Sequence, residues 1–200
     1  MEFRHVVVGY LETNCYILTG KAGDAVIIDP GASAEKILHL VDEMRAQPRH
    51  ILLTHTHSDH IGALEGVRRV WDVPVLLSAE EAEFLRIPED RLAKFDNADI
   101  LAPQFTTLAD GDIIEIGGFE IKAILTPGHT PGSMCFLVNE LLFSGDTLFK
   151  DGIGRTDFDG GNQDSIISSI KNKLLTLPDA TNVFPGHGPA TKIGAERNYF

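Results

Sequence analysis

Cysteine is scarce in this sequence: Cys15 and Cys135 are the only two in 200 residues. A disulfide-stapled fold needs more of them at tighter spacing, and both sit in apolar, strand-like stretches. They read as buried free thiols, in keeping with a reducing cytoplasm. Long apolar runs are missing as well; none approaches the ~20 residues of a membrane helix. The start, Met1-Glu2-Phe3-Arg4-His5-Val6, lacks the basic-then-apolar order of an export signal. Positive charge is short: Lys and Arg number 17 against 29 Asp and Glu, for a net charge of −12. Phosphate-backbone binding and polybasic membrane anchoring both need clustered cations, so nucleic-acid and membrane partners are excluded. No repeat, low-complexity stretch or linker stands out. What remains is ordinary: 43% hydrophobic and 23% charged residues, as in globular proteins. A chain of this length buries roughly 70% of its unfolded surface and needs no staples. The expectation is one cytoplasmic domain over residues 1–200, monomeric or homodimeric.

Periodicity orders the elements. Strands are expected at 3–8, 14–19 and 25–29, before Asp29-Pro30-Gly31 breaks the run. Ile37, Leu40, Val41 and Met44 then repeat at helical spacing, predicting a helix over 33–47 capped by Ser33. A short strand at Ile51-Leu52-Leu53, a helix over 62–71 and a strand at 75–77 follow. Residues 79–96 read as a charged helix and 97–110 as irregular. Strands return at 112–116, 119–125, 133–138 and 141–144, with Gly117-Gly118 and Asn139-Glu140 as turns. Asn162 can cap a last helix with Ile166, Ile170, Leu174 and Leu177 along one stripe, and Val183–Phe184 is a final strand. Each half of the chain thus has antiparallel strands, then helix, then a strand ending in a Gly/Pro/His-rich loop. That order suits two sheets packed face to face with helices outside.

The histidines carry the chemical signal. Of eight, His5, His39 and His50 are scattered and read as ordinary residues. The other five lie in loops directly after predicted strands. Leu53-Thr54 runs into His55-Thr56-His57-Ser58-Asp59-His60; Leu125-Thr126 into Pro127-Gly128-His129; Phe184-Pro185 into Gly186-His187. A fourth such loop, Ser144-Gly145-Asp146, ends in an acid. Residues i and i+2 of an extended segment point the same way, so His55 and His57 can chelate one ion. Asp59 and His60, at the start of the next helix, can face a second. Imidazole and carboxylate suit zinc, iron and manganese.

These segments resemble the metallo-β-lactamase superfamily. The likeness rests on Thr54-His55-Thr56-His57-Ser58-Asp59-His60, Pro127-Gly128-His129-Thr130-Pro131-Gly132, Ser144-Gly145-Asp146-Thr147-Leu148-Phe149 and Pro185-Gly186-His187-Gly188-Pro189. It implies an α+β, αββα four-layer sandwich with metals at one edge of the two sheets. It implies a first site of His55, His57 and His129, a second of Asp59, His60 and His187, and Asp146 as the bridge. Within the family the chain is similar to the short bacterial glyoxalase II-like hydrolases, through Gly145–Phe149 and Gly152-Ile153-Gly154-Arg155-Thr156-Asp157. The two-ion zinc β-lactamases of the family generally lack an aspartate in the place of Asp146. Long glyoxalase II enzymes carry a C-terminal helical domain that helps hold glutathione; the 13 residues after His187 are too few for it.

The resemblance therefore implies a metal-dependent hydrolase of small thioesters such as S-lactoylglutathione. Two divalent ions, zinc first with iron or manganese as alternatives, share the attacking hydroxide, and Asp59 orients it. Two cations and a hydroxide against two carboxylates leave a positive pocket, which suits a small anionic substrate. Arg155 is the candidate contact for that anion, against an ion pair with Asp157 or Asp151. Two alternatives stand beside this reading. One is a persulfide dioxygenase with a single iron on His55, His129 and Asp146; the other is a non-catalytic metal-binding protein.

Overall fold

The computed structural model describes residues 1–86 and 105–200. Strands β1 (Glu2–Val8), β2 (Thr13–Thr19), β3 (Asp24–Ile28), β4 (Gln47–Leu52), β5 (Val75–Ser78) and β6 (Phe105–Leu108) form one sheet in chain order. It is antiparallel from β1 to β3 and parallel from β3 to β6. The second sheet contains β7 (Ile113–Ile116), β8 (Phe119–Leu125), β9 (Met134–Val138), β10 (Leu141–Gly145), β13 (Asn182–Pro185) and β14 (Thr191–Lys192). Its order is β14-β13-β10-β9-β8-β7. Between β10 and β13 lies a two-stranded ribbon, β11 (Leu148–Phe149) with β12 (Gly152–Ile153).

Side chains alternate across each strand, and here both faces are apolar. Tyr16, Leu18, Val26, Ile28, Phe136 and Phe143 point between the sheets, where Phe143 stacks on Phe184 at 5.5 Å. Their neighbours Cys15, Ile17, Ile27, Ile51 and Leu53 point outward against α1 (Ala34–Glu43), α3 (Leu64–Arg68) and α4 (Ala79–Arg86). Cys135, Leu142 and Val183 meet Ile166, Ile170 and Leu174 of α5 (Gln163–Ser169) and its continuing π turn (Ile170–Leu174), with Ile193 of α6 (Ile193–Glu196). The result is helix, sheet, sheet, helix. Both cysteines are buried and free.

Several local expectations need correction. Ser33 precedes α1, but its φ is 52° and its side chain makes no cap hydrogen bond. The helix ends at Glu43 rather than Gln47, because Arg45 turns left-handed (φ 50°) and Gln47 already starts β4. The helix expected over 62–71 is α3 alone, preceded by the one-turn α2 (Ser58–Ile61). Phe105–Leu108, expected to be irregular, is β6; its Phe-Thr-Thr-Leu carries no apolar alternation, and pairing with β5 decides it. Residues 87–96 of the expected charged helix and 97–104 lie outside the described residues. The two-residue strands β11, β12 and β14 are too short for any period to reveal. Asn162 does cap α5: its side chain accepts from Ser165 N at 2.9 Å.

Candidate metal centre

In the second sheet β8, β10 and β13 all run the same way, so their C-terminal ends share one edge. The loops leaving them carry His129, Asp146 and His187. β4 of the first sheet ends nearby and delivers His55, His57, Asp59 and His60, the last two on α2. Two backbone hydrogen bonds hold these loops together: Met134 N to Thr54 O at 2.8 Å and Gly186 N to Gly145 O at 2.8 Å.

All seven expected ligands meet there. Three groupings place ligand atoms within 4.8 Å of one another: His55 with His57 and His129, His55 with His60 and Asp146, and Asp59 with His60 and His187. His57 Nδ1 lies 2.9 Å from His129 Nε2, and His60 Nε2 lies 3.3 Å from His187 Nε2. Asp146 reaches both sides, with Oδ1 3.4 Å from His60 Nε2 and Oδ2 3.6 Å from the Nε2 atoms of His129 and His187.

Tautomers follow from what the other ring nitrogens touch. His129 Nδ1 donates to the Arg155 carbonyl at 2.7 Å, and His187 Nδ1 to the Leu11 carbonyl at 2.9 Å. His60 Nδ1 donates to Asp29 Oδ2 at 2.9 Å. These partners only accept, so each neutral ring turns a bare Nε2 lone pair into the site. Lone pairs on His60 and His187 then face one another at 3.3 Å, an arrangement that a cation or a proton must relieve. His55 Nε2 and Asp146 Oδ1 are buried with no hydrogen-bond partner. Acceptors that converge, point inward and lack donors fit a metal ion, and imidazoles fixed through their far nitrogens are how such ions are held.

Comparison with known proteins agrees. The metallo-beta-lactamase superfamily model matches residues 8–187. The chain belongs to the metallo-β-lactamase superfamily. It is 41% identical to "Probable metallo-hydrolase YqgX" of Bacillus subtilis, over 99% of this chain and 95% of that one. It is 36% identical to "Hydroxyacylglutathione hydrolase GloC" of Haemophilus influenzae, over 98% and 95%. Among solved structures it is similar to BLEG-1 B3 metallo-beta-lactamase (38% identity, TM-score 0.84, 98% of this chain and 97% of that one). It is also similar to ETHE1 from Myxococcus xanthus (30%, TM-score 0.82, 98% and 82%) and to TTHA1623 in a di-iron-bound form (34%, TM-score 0.83, 97% and 96%).

Electrostatics differ between the two sides of this superfamily site. Burial and the neighbouring imidazoles push His55 far below its ordinary value and His57 down to about 4, so both are neutral. For His60, burial acts downward, but the Asp146 charge 3.4 Å away and the hydrogen bond to Asp29 raise it well above the usual range. His187 is raised similarly, burial being outweighed by Asp59 and Asp146. Asp59 and Asp146 are lowered: burial opposes ionisation, but His187 and His60 for the first, and His60 for the second, overcome it.

A cavity of about 700 Å³ opens over the site. Phe84, Leu85, Phe149, Ile153 and Phe158 wall it, with Phe158 edge-on to His57 at 5.6 Å. Arg155 also lines it, but forks onto Asp157 at 2.9 and 2.7 Å and lies 4.1 Å over the Phe158 ring. Of the two partners weighed for it in the sequence, Asp157 is the one present.

Asp29 is the residue that sequence reasoning passed over. Its buried carboxylate accepts from Thr54 N, Thr54 Oγ1 and His60 Nδ1 at 2.8, 2.6 and 2.9 Å, fixing both the first histidine loop and His60. Asp29 directly follows β3, but a single acid ahead of Pro30-Gly31 reads as turn punctuation and carries no spacing signal of its own. No helix among the described residues is long and apolar enough to cross a membrane.

Proposed function

We propose that this protein is a binuclear metallo-hydrolase of small thioesters, zinc being the first choice of metal. The observation that carries the reading is the complete second cluster, Asp59, His60 and His187, beside the first, with Asp146 reaching both. Divalent ions held there supply a polarised substrate carbonyl and a water whose pKa falls from about 15.7 towards 7. The chain's own residues do the rest. His55, His57 and His129 present the first set of nitrogens, and the backbone carbonyl of Arg155 keeps His129 aimed. Asp59 remains ionised, accepts from Thr13 Oγ1 at 3.2 Å, and borders the cavity where it can take a proton from the attacking water. Phe84, Phe149 and Phe158 give the cavity apolar walls against which the acyl part of a substrate can pack. A thiolate leaves readily and needs no dedicated protein acid.

The similarity to the hydroxyacylglutathione hydrolase GloC supports a glutathione thioester as substrate, and the di-iron-bound neighbour supports a count of two and keeps iron open. Arg155, at the rim, is the candidate contact for an anionic group of the substrate. Arg155→Ala should raise KM for S-lactoylglutathione several-fold with thermal stability unchanged; lost stability with unchanged KM would reduce Arg155 to its pair with Asp157.

A second reading is the persulfide dioxygenase weighed from the sequence. It needs one iron on His55, His129 and Asp146 only, and leaves Asp59 and His187 without a task. Metal analysis of the purified protein beside three assays decides: hydrolysis of S-lactoylglutathione, oxygen uptake with glutathione persulfide, and hydrolysis of a cephalosporin. Two metals per chain with thioester hydrolysis is the expected outcome. One iron with oxygen uptake, or turnover of the lactam alone, would overturn it.

A further inference from the structure

The two halves of the first cluster come from different sheets. His55 and His57 follow β4, and His129 follows β8, yet ring nitrogens of His57 and His129 converge to 2.9 Å. Imidazoles on separate loops drift apart unless the loops are tied, and a one-ångström error at a metal site is costly. Beside the backbone bond from Met134 N to Thr54 O, a side chain from neither loop ties the two together.

Glu81 lies on α4, and its side chain is 0% exposed. Its Oε1 accepts from Thr56 N and Thr56 Oγ1, both at 2.7 Å. Its Oε2 accepts from Thr130 Oγ1 at 2.6 Å and from Gly132 N at 3.2 Å. Thr56 sits between His55 and His57, and Thr130 directly follows His129. One carboxylate therefore spends one oxygen on each histidine loop. The carboxylate is itself held: Glu81 N donates to Ser78 Oγ at 2.9 Å, and that hydroxyl donates to Gly132 O at 2.7 Å. Among the described residues no Lys or Arg is paired with Glu81, so its charge rests on four donors rather than on an ion pair. A buried anion with no cation of its own is expensive unless fully hydrogen-bonded. Its four donors come from residues next to or near the three histidines in the chain, so the carboxylate fixes the backbone that carries them.

We propose that Glu81 is a positioning residue of the metal centre, clamping the His55–His57 loop to the His129 loop so that their ring nitrogens meet at one ion. This rests on the metal-centre reading above. Groups behind metal ligands typically change affinity by about 10–100-fold when altered. The amide of Glu81→Gln keeps one acceptor oxygen and turns an NH2 group to the other loop, where a backbone N–H, of Thr56 or Gly132, loses its acceptor.

The test uses the full chain. Zinc affinity of wild type, Glu81→Gln, Thr56→Val and Thr130→Val is measured against a chromophoric chelator, with the visible spectrum of each cobalt-loaded protein. Thermal melting of each metal-free protein is recorded alongside. Glu81→Gln should bind its first zinc about 10–100-fold more weakly, with a shifted cobalt spectrum. The two threonine variants, each losing one donor and keeping every ligand, should move the same way by less. Unchanged affinity and spectrum in Glu81→Gln, even with lower thermal stability, would overturn the proposal and leave Glu81 a strut. If Glu81→Gln does not fold, unchanged affinity in both threonine variants overturns it equally. Wild type that binds neither zinc nor cobalt would sink the metal-centre reading and this inference together, whereas tight wild-type binding matched by the variants sinks this inference alone.

Discussion

Asp59 touches the cavity, His60 and His187, and those contacts keep it a carboxylate over the working pH range. Replacing it by asparagine preserves size while removing the base. Asp59→Asn should lower kcat for a thioester about 10²–10⁴-fold, the usual range for a positioned proton acceptor. The first cluster should keep its metal, and an unchanged kcat would end the role assigned to Asp59. Gly186 acts by absence. A Cβ there would lie 2.3 Å from Asp146 Oδ1 and 2.7 Å from His60 Cε1, so only glycine lets the chain pass between bridge and second cluster. Gly186→Ala should cost the second cluster at least about 10-fold in metal affinity, read by metal content after dialysis, with the far-ultraviolet spectrum unchanged. The convergence of these His and Asp side chains was legible in the sequence, because a dense His/Asp run directly after an apolar strand, with single His or Asp residues in matching loops, suits little except holding a metal. Asp29 and Glu81 were not. A single acid in a loop or on a helix carries no spacing signal, and its partners lie 25 or more residues away.

Elements repeat the contrast. Strands buried on both faces announce themselves as apolar runs, and the long strands fall close to their expected places except β4, which starts at Gln47 rather than Ile51 because its polar first half is defined by pairing with β3. Helix ends depend on caps and turns. Ser33 fails as a cap because its own backbone is left-handed, whereas Asn162 succeeds with an extended backbone and a bonded side chain. The Asn162 backbone N also donates to Gly128 O at 2.8 Å, joining α5 to the His129 loop. Asn162→Ala removes the side-chain cap alone. It should destabilise the protein by about 1 kcal/mol in chemical denaturation while leaving kcat near wild type. A large loss of kcat at unchanged stability would mean that the cap serves the site rather than the helix. Edge and ribbon strands, β6, β11, β12 and β14, escaped the sequence because partner strands, not their own side chains, define them.

For the molecule as a whole, a net charge of −12 surrounds a site built to receive cations. Protons and metal ions compete for the same nitrogens. His60 and His187 have raised values, so as pH falls they gain protons first and the second cluster weakens first. His55 and His57 are lowered, the latter to about 4, so the first cluster holds on to lower pH. Dialysis from pH 8 to pH 5 should therefore pass through a one-metal species; loss of both ions together, or from the first cluster first, would contradict this order. On the proposed metal-centre reading, a chelator at neutral pH should lower Tm, since the converging cluster exists only in the folded chain. A ligand present at 1,000 times its Kd contributes about 4 kcal/mol.

The order of residues along the chain dictated the inventory: which side chains can bind a metal, which strands deliver them, and that both faces of those strands are buried. It could do so because strand period, turn chemistry and ligand type are local properties of the chain. Tertiary packing settled the rest. It set the 2.9 Å approach of His57 to His129 and the reach of Asp146 across both clusters. It also brought Asp29 and Glu81 to the histidine loops. Those contacts join residues far apart in the chain, and they exist because β8, β10 and β13 run parallel and end at one edge beside β4.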